Sequence, residues 1–139
     1  MYVPKHFEEN REEEIKRIIE NYPLATLVGN TKNGIVANHI PLLLYKSFNS
    51  KKILIGHIAR ANKLHEELQY DDNVMVIFKS EDAYISPNWY PTRNNKKEHV
   101  PTWNYQSVHL YGKISFNNKK NFLLKTVKEL TSIFEKSKK

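Results

Sequence analysis

After a polar start, apolar residues fall at Ile15, Ile18, Ile19 and Tyr22, the spacing of a helix with one apolar stripe. Asn10 with Glu13 three residues later resembles a capping box, Glu12, Glu13 and Glu14 suit the positive end of the helix, and Pro23 stops it. Short β-prone runs follow. Leu24 to Val28 and Ile35 to Tyr45 flank the turn-forming Lys32-Asn33-Gly34 and predict a hairpin. Ile53 to Ile58 predicts a third strand, which breaks into a short helix from about Asn62 to Leu68 with Leu64 and Leu68 turned inward. Val74 to Phe78 and Ala83 to Ile85 predict further strands.

Between Ser86 and Asn104 the periodicity dissolves for nineteen residues, which hold Pro87, Pro91, Pro101 and both tryptophans. Loops of that length in a compact domain are usually functional or disordered. Tyr105 to Phe116 then predicts a long strand, with Val108, Leu110, Ile114 and Phe116 on one face and His109, Tyr111 and Lys113 on the other. Leu123, Val127, Leu130 and Phe134 repeat at helical spacing in a closing helix. This order of elements predicts a mainly β fold with flanking helices, an antiparallel α+β barrel and not a parallel βαβ sheet.

Composition narrows the picture. The 139 residues suit one domain, and the absence of cysteine excludes disulfides, thiolate metal sites and a cysteine nucleophile. No segment approaches the roughly 20 apolar residues of a membrane span, and no leader-like run opens the chain. The expectation is a cytoplasmic protein with no membrane partner. The formal charge of +7 is unevenly spread, because from Gly112 onward eight lysines stand against only Glu129 and Glu135. That excess reads equally as a solvated helix face or as a non-specific attraction to polyanions.

Candidate chemistry centres on Gly56-His57-Ile58-Ala59-Arg60-Ala61-Asn62-Lys63, at a strand-to-helix junction. A helix start presents backbone N–H groups, Asn62 caps the turn, and Arg60 and Lys63 add full charges, so these residues could cradle one phosphate. An ordinary capped helix with two solvated cations uses the same residues. No glycine-rich loop for a triphosphate or dinucleotide is present. The long loop and its borders gather Tyr84, Trp89, Tyr90, Trp103, Tyr105 and Tyr111, with Ser86 and Asn104 among them. Such a mixture suits a planar heterocycle or stacked bases, and equally the packing that pins a loop to a barrel. None of the six histidines stands in a metal-ligand motif, so His39 and His57 read as hydrogen-bonding strand residues or ligand contacts. Ser86 and Ser107 lie in no nucleophile context.

Four blocks together resemble the PaiB-like FMN-binding negative transcriptional regulators. They are Met1-Tyr2-Val3-Pro4-Lys5-His6-Phe7; Ala25-Thr26-Leu27-Val28 with His39-Ile40-Pro41-Leu42; Gly56 to Asn62; and Tyr84-Ile85-Ser86-Pro87 with Trp89-Tyr90-Pro91 and Val100-Pro101-Thr102-Trp103-Asn104-Tyr105. The resemblance runs from Met1 to about Gly112. It implies a split β-barrel like that of pyridoxamine-phosphate oxidases, a homodimer, and FMN in a groove between subunits. On that analogy Arg60, Ala61, Asn62 and Lys63 fall at the FMN phosphate, and His57 precedes them in the chain as a cofactor-contact candidate. His39, Pro41 and Leu42 line the ribityl chain and ring, and Trp89 and Trp103 close over the flavin.

Members of the family usually continue through a further strand, so residues 1–139 are expected to form a single domain lacking that C-terminal strand region. Asn94, Asn95, Glu98 and His99 also depart from the glycine- and lysine-bearing loop of relatives. The leading functional expectation is an FMN-binding regulator. DNA contact is implied by resemblance alone, since no helix-turn-helix pattern is visible. The alternatives are an FMN-dependent oxidoreductase, a haem-handling split barrel, supported locally only by the histidines, and a scaffold that has lost its ligand.

Overall fold

A computed structural model of the chain describes residues 1–46, 51–90 and 100–136. Pro91, Asn94, Asn95, Glu98 and His99, and the terminal lysines Lys138 and Lys139, lie outside the described residues. After a short 3-10 turn at Lys5–Phe7 the elements are α1 (Glu12–Asn21), β1 (Leu24–Thr31), β2 (Gly34–Lys46), β3 (Lys52–Gly56), α2 (Leu64–Glu67), β4 (Asn73–Ile85), a 3-10 turn at Pro87–Trp89, β5 (Thr102–Lys113) and α3 (Lys120–Lys136).

The five strands form one antiparallel sheet in the order β3-β2-β1-β4-β5. The sheet is open, and the whole is an α+β fold consistent with a split barrel. The hairpin predicted around Lys32-Asn33-Gly34 is present, joining Thr31 to Gly34 across two residues. Gly34 has φ +114°, a conformation that only glycine adopts without strain, and this closes the turn.

Strand alternation gives the sheet two different faces. Ala25, Leu27, Ile40, Leu42, Val74, Val76 and Phe78 point into the main core, joined by Ile18 and Ile19 of α1 and by Leu64 and Leu68 beside α2. Leu64 and Leu68 are turned inward as expected. α1 packs against β2, β4 and β5. The opposite face carries Thr26 and Val28 of β1, Ile35, His39 and Pro41 of β2, Met75 and Ile77 of β4, and His109 and Tyr111 of β5. Tyr45 stands on this second face by alternation, and its hydroxyl bonds to Glu129 of α3. α3 therefore lies over the β2–β3 end of that face, opposite α1, while Leu24, Ile35 and Tyr111 remain exposed.

Four local details differ from the sequence reading. Asn10 does not cap α1. The Glu9 carboxylate instead accepts the Arg11 backbone N–H at 2.8 Å, and the Asn10 amide turns to Glu8. The runs Val74 to Phe78 and Ala83 to Ile85 are one strand, because a bulge between Lys79 and Asp82 carries the polar residues without ending the pairing with β5. β5 begins three residues earlier than Tyr105, so Trp103 and Asn104 are strand residues and not loop residues. In α3 Leu130 is buried and Phe134 half-buried as expected, but Leu123 and Val127 stay exposed and Thr126 is buried, so the first half of the predicted stripe is displaced.

Candidate functional site

β3 ends at Gly56, where the chain runs hard against β2. A Cβ at Gly56 would sit 2.6 Å from the Pro41 carbonyl oxygen and 2.6 Å from Leu42 Cδ2, so only glycine permits this approach. The following segment carries His57, Arg60, Ala61, Asn62 and Lys63. Arg60 and Ala61 are the two central residues of a turn closed by the Asn62 N–H donating to the Ala59 carbonyl at 2.9 Å.

Asn62 holds this turn in place. Its Oδ1 accepts the Leu64 N–H at 2.9 Å, the capping role expected of it, and its Nδ2 donates to Asn38 Oδ1 at 2.8 Å. The Asn62 carbonyl meets His65 Nδ1 at 2.7 Å, and the His65 ring lies edge-on to Phe116. Asn62 is half-buried, whereas His57, Arg60, Ala61 and Lys63 are exposed. Among the described residues neither Arg60 nor Lys63 forms an ion pair.

The helix that follows spans only Leu64–Glu67, and its start is already bonded. Leu64 N–H goes to Asn62, and the Glu66 and Glu67 N–H groups go to the Lys63 carbonyl at 2.8 and 3.0 Å. The helix start expected to present free backbone N–H groups therefore has its Leu64, Glu66 and Glu67 donors already engaged. Arg60 and Lys63 supply the full positive charges on this segment.

The remaining predicted residues are dispersed. His39 and Pro41 point to the second sheet face, and His39 Nδ1 lies 3.0 Å from Thr26 Oγ1. Leu42 points the other way and is buried in the core. Trp89 and Trp103, 66% and 59% exposed, belong to the end of the β4–β5 ribbon, on the far side of β1 from β3. Trp103 is paired in register with Tyr84, their rings edge-to-face at 5.9 Å. The chain thus brings His57 and Arg60 to Lys63 together on one segment beside β2 and leaves the tryptophans apart.

The second face also holds a shallow depression of about 510 Å³, lined chiefly by Val28, Ile35, Met75 and Tyr111. Of the aromatics gathered by the sequence reading only Tyr111 lines it, and none of the residues expected at FMN does. Sequence reasoning missed Asn38 and His65, the two side chains that fix Asn62. Asn38 carried a signal, since it interrupts the core-facing series Val36, Ile40 and Leu42 with a polar group. No group of three or more His, Cys, Asp or Glu among the described residues could hold a metal ion. No helix among them is long and apolar enough to cross a membrane.

Fold and site together define an antiparallel α+β domain that presents, beside its second strand, two cations without ion-pair partners among the described residues. The chain belongs to the family described as "Putative FMN-binding domain", whose match covers residues 1–139. It is similar to the protease synthase and sporulation protein PAI 2 of Bacillus subtilis, 36% identical over 142 residues, covering 100% of this chain and 62% of that protein. An uncharacterized protein of Saccharomyces cerevisiae is 35% identical over 130 residues, covering 81% of this chain and 76% of its own length. A third similar protein, uncharacterized and from Emericella nidulans, is 27% identical over 117 residues. The resemblance to PaiB-like FMN-binding proteins is borne out. The chain spans under two thirds of the length of the Bacillus relative.

Proposed function

We propose that this chain is a cytoplasmic FMN-binding domain that works as a homodimer, with Arg60 and Lys63 holding the FMN phosphate. The observation that carries the reading is the pair of exposed cations without carboxylate partners among the described residues, on a turn anchored through Asn62. A dianionic phosphate supplies the missing counter-charge, and charge-assisted hydrogen bonds from a guanidinium are among the stronger polar contacts. Ala61 keeps the turn free of a bulky side chain, and exposed His57 adds a further donor beside the cations.

The homodimer is supported by the distribution of the other residues. His39 and Pro41 share a sheet face with exposed Leu24, Ile35 and Tyr111, an apolar surface of the kind that subunits cover. Trp89 and Trp103 stand at the opposite end of the sheet from Arg60, so the aromatic cover for a flavin ring comes most directly from a second copy. When bound, FMN supplies reversible hydride and electron acceptance. The protein's part is to bind, orient and shield it.

A regulatory role, with DNA as a partner, is the form of this reading implied by the PaiB-like resemblance. Titration of FMN into the purified chain, followed by quenching of flavin fluorescence, tests the cofactor. Saturable binding at micromolar FMN is expected, and no binding overturns the proposal. Turnover of a reduced nicotinamide by loaded protein would make the domain an oxidoreductase. A mobility shift that persists as salt is raised would support sequence-specific DNA contact.

A further inference from the structure

We infer that Asn38 is a positioning residue for the phosphate-binding turn, acting through Asn62; this rests on the reading of Arg60 and Lys63 given above. Asn38 occupies a core-facing position on β2 opposite Leu27 of β1, in a row otherwise filled by Val36, Ile40 and Leu42. A half-buried carboxamide in such a row costs desolvation unless it is hydrogen-bonded. Its one hydrogen bond among the described residues is from Asn62 Nδ2, at 2.8 Å.

The orientation of that bond is forced. The Leu64 backbone N–H can only donate, so the Asn62 oxygen must face it and the Asn62 amide nitrogen must face β2. Asn38 Oδ1 is there to accept. The bond links residues 24 positions apart and is, among the described residues, the side-chain hydrogen bond that ties the sheet to the turn carrying Arg60. The remaining hydrogen bonds of Asn62, to Ala59, Leu64 and His65, all lie within its own segment. Without Asn38 the turn keeps its internal bonds and the core anchors on either side of it, Ile58 and Leu64, but loses the hydrogen bond that sets Asn62 against β2, and the backbone carrying the guanidinium and ammonium groups is held less closely.

This assigns to Asn38 an effect on phosphate recognition and not on the ring. The test compares FMN with riboflavin, which lacks the phosphate, in fluorescence titrations of the whole chain and of Asn38→Ala. The expected result is FMN binding weakened about threefold to tenfold, the range of one partly buried hydrogen bond, with riboflavin binding unchanged. In the Asn62→Ala background the Asn38→Ala change should add almost nothing, because both remove the same bond. Asn38→Thr, suited to a strand but too short to reach Asn62, repeats the comparison if alanine lowers the melting temperature. Equal weakening of both ligands, no weakening of FMN, or additive losses in the double variant overturns the assignment while leaving FMN binding intact. Failure of the unaltered chain to bind FMN overturns the functional reading itself, and the assignment with it.

Discussion

Tyr45 of β2 donates its hydroxyl hydrogen bond to the Glu129 carboxylate of α3, across 84 positions of sequence. The bond ties the closing helix to the sheet at the point where Thr126 and Leu130 are buried. It holds the Tyr45 phenol neutral, and with burial acting in the same direction moves its pKa from 10.0 up to about 12. Because the folded pKa is the higher one, the contribution is complete below pH 10.0 and is lost as pH rises to about 12. Melting temperatures measured across that window should fall in the wild type, and Tyr45→Phe should remove this part of the fall. At neutral pH the same variant should cost about 1 kcal/mol, since it leaves a half-buried carboxylate short of a donor.

Glu9 shows the opposite sign. The Arg11 side chain, then its backbone N–H, hold the carboxyl from 4.5 down to about 2. Its contribution is present above pH 4.5 and disappears as pH falls to about 2. An NMR titration of Glu9 should therefore show an acid-shifted midpoint, and Arg11→Ala should return it to the ordinary carboxylate range. An ordinary midpoint in the unaltered chain would show that the clasp does not persist in solution.

Arg60→Ala should weaken FMN binding by about 1.5 to 3 kcal/mol, as expected for a lost charged hydrogen bond to phosphate. Riboflavin affinity is the control and should stay constant. If FMN affinity is also unchanged, Arg60 is outside the site.

Asp71 has φ 71°, the one non-glycine residue with positive φ among those described. Its backbone is held by the Ile114 carbonyl at 2.8 Å and by the Lys113 ammonium, which bonds the Asp71 carbonyl at 2.8 Å. Asp71→Gly and Asp71→Ala both delete the exposed carboxylate, so their difference isolates the backbone. Chemical denaturation should find alanine less stable than glycine by about 1 kcal/mol.

Met75 lies at the centre of the apolar second face, between Val28 and Tyr111 in register. A charge there is tolerated by a monomer and excluded from a subunit interface. Met75→Lys should convert the proposed dimer to monomer in light scattering and weaken FMN binding together with it. A dimer that survives the substitution uses another surface.

Much of this fold was legible because local chemistry and global need agree. Lys32-Asn33-Gly34 announces its hairpin, and Leu64 and Leu68 announce the buried side of their turn. The bulge was not legible, because Lys79, Ser80, Glu81 and Asp82 look like a strand end. Their bonds are made inside the sheet: Ser80 Oγ accepts the Gln106 N–H at 3.0 Å, and Lys79 pairs with Asp82. Nor was the early start of β5, which is fixed by the cross-strand Tyr84 and Trp103 rings and leaves no trace in alternation. The placing of α3, with Thr126 buried and Glu129 bonded to Tyr45, involves a partner that periodicity along one helix cannot reveal. At the site, the cations were visible as residue types, whereas the tie from Asn38 to Asn62 needs two distant segments to meet.

The separation of Arg60 from Trp103 across the sheet has a consequence for mass action. On the proposed reading neither protomer owns a whole site, so occupancy belongs to pairs of chains and the apparent affinity depends on protein concentration. Diluting the protein at constant free FMN should release flavin, and adding FMN should draw protomers together. Bound cofactor then reports how much of this protein a cell contains as well as how much flavin it has.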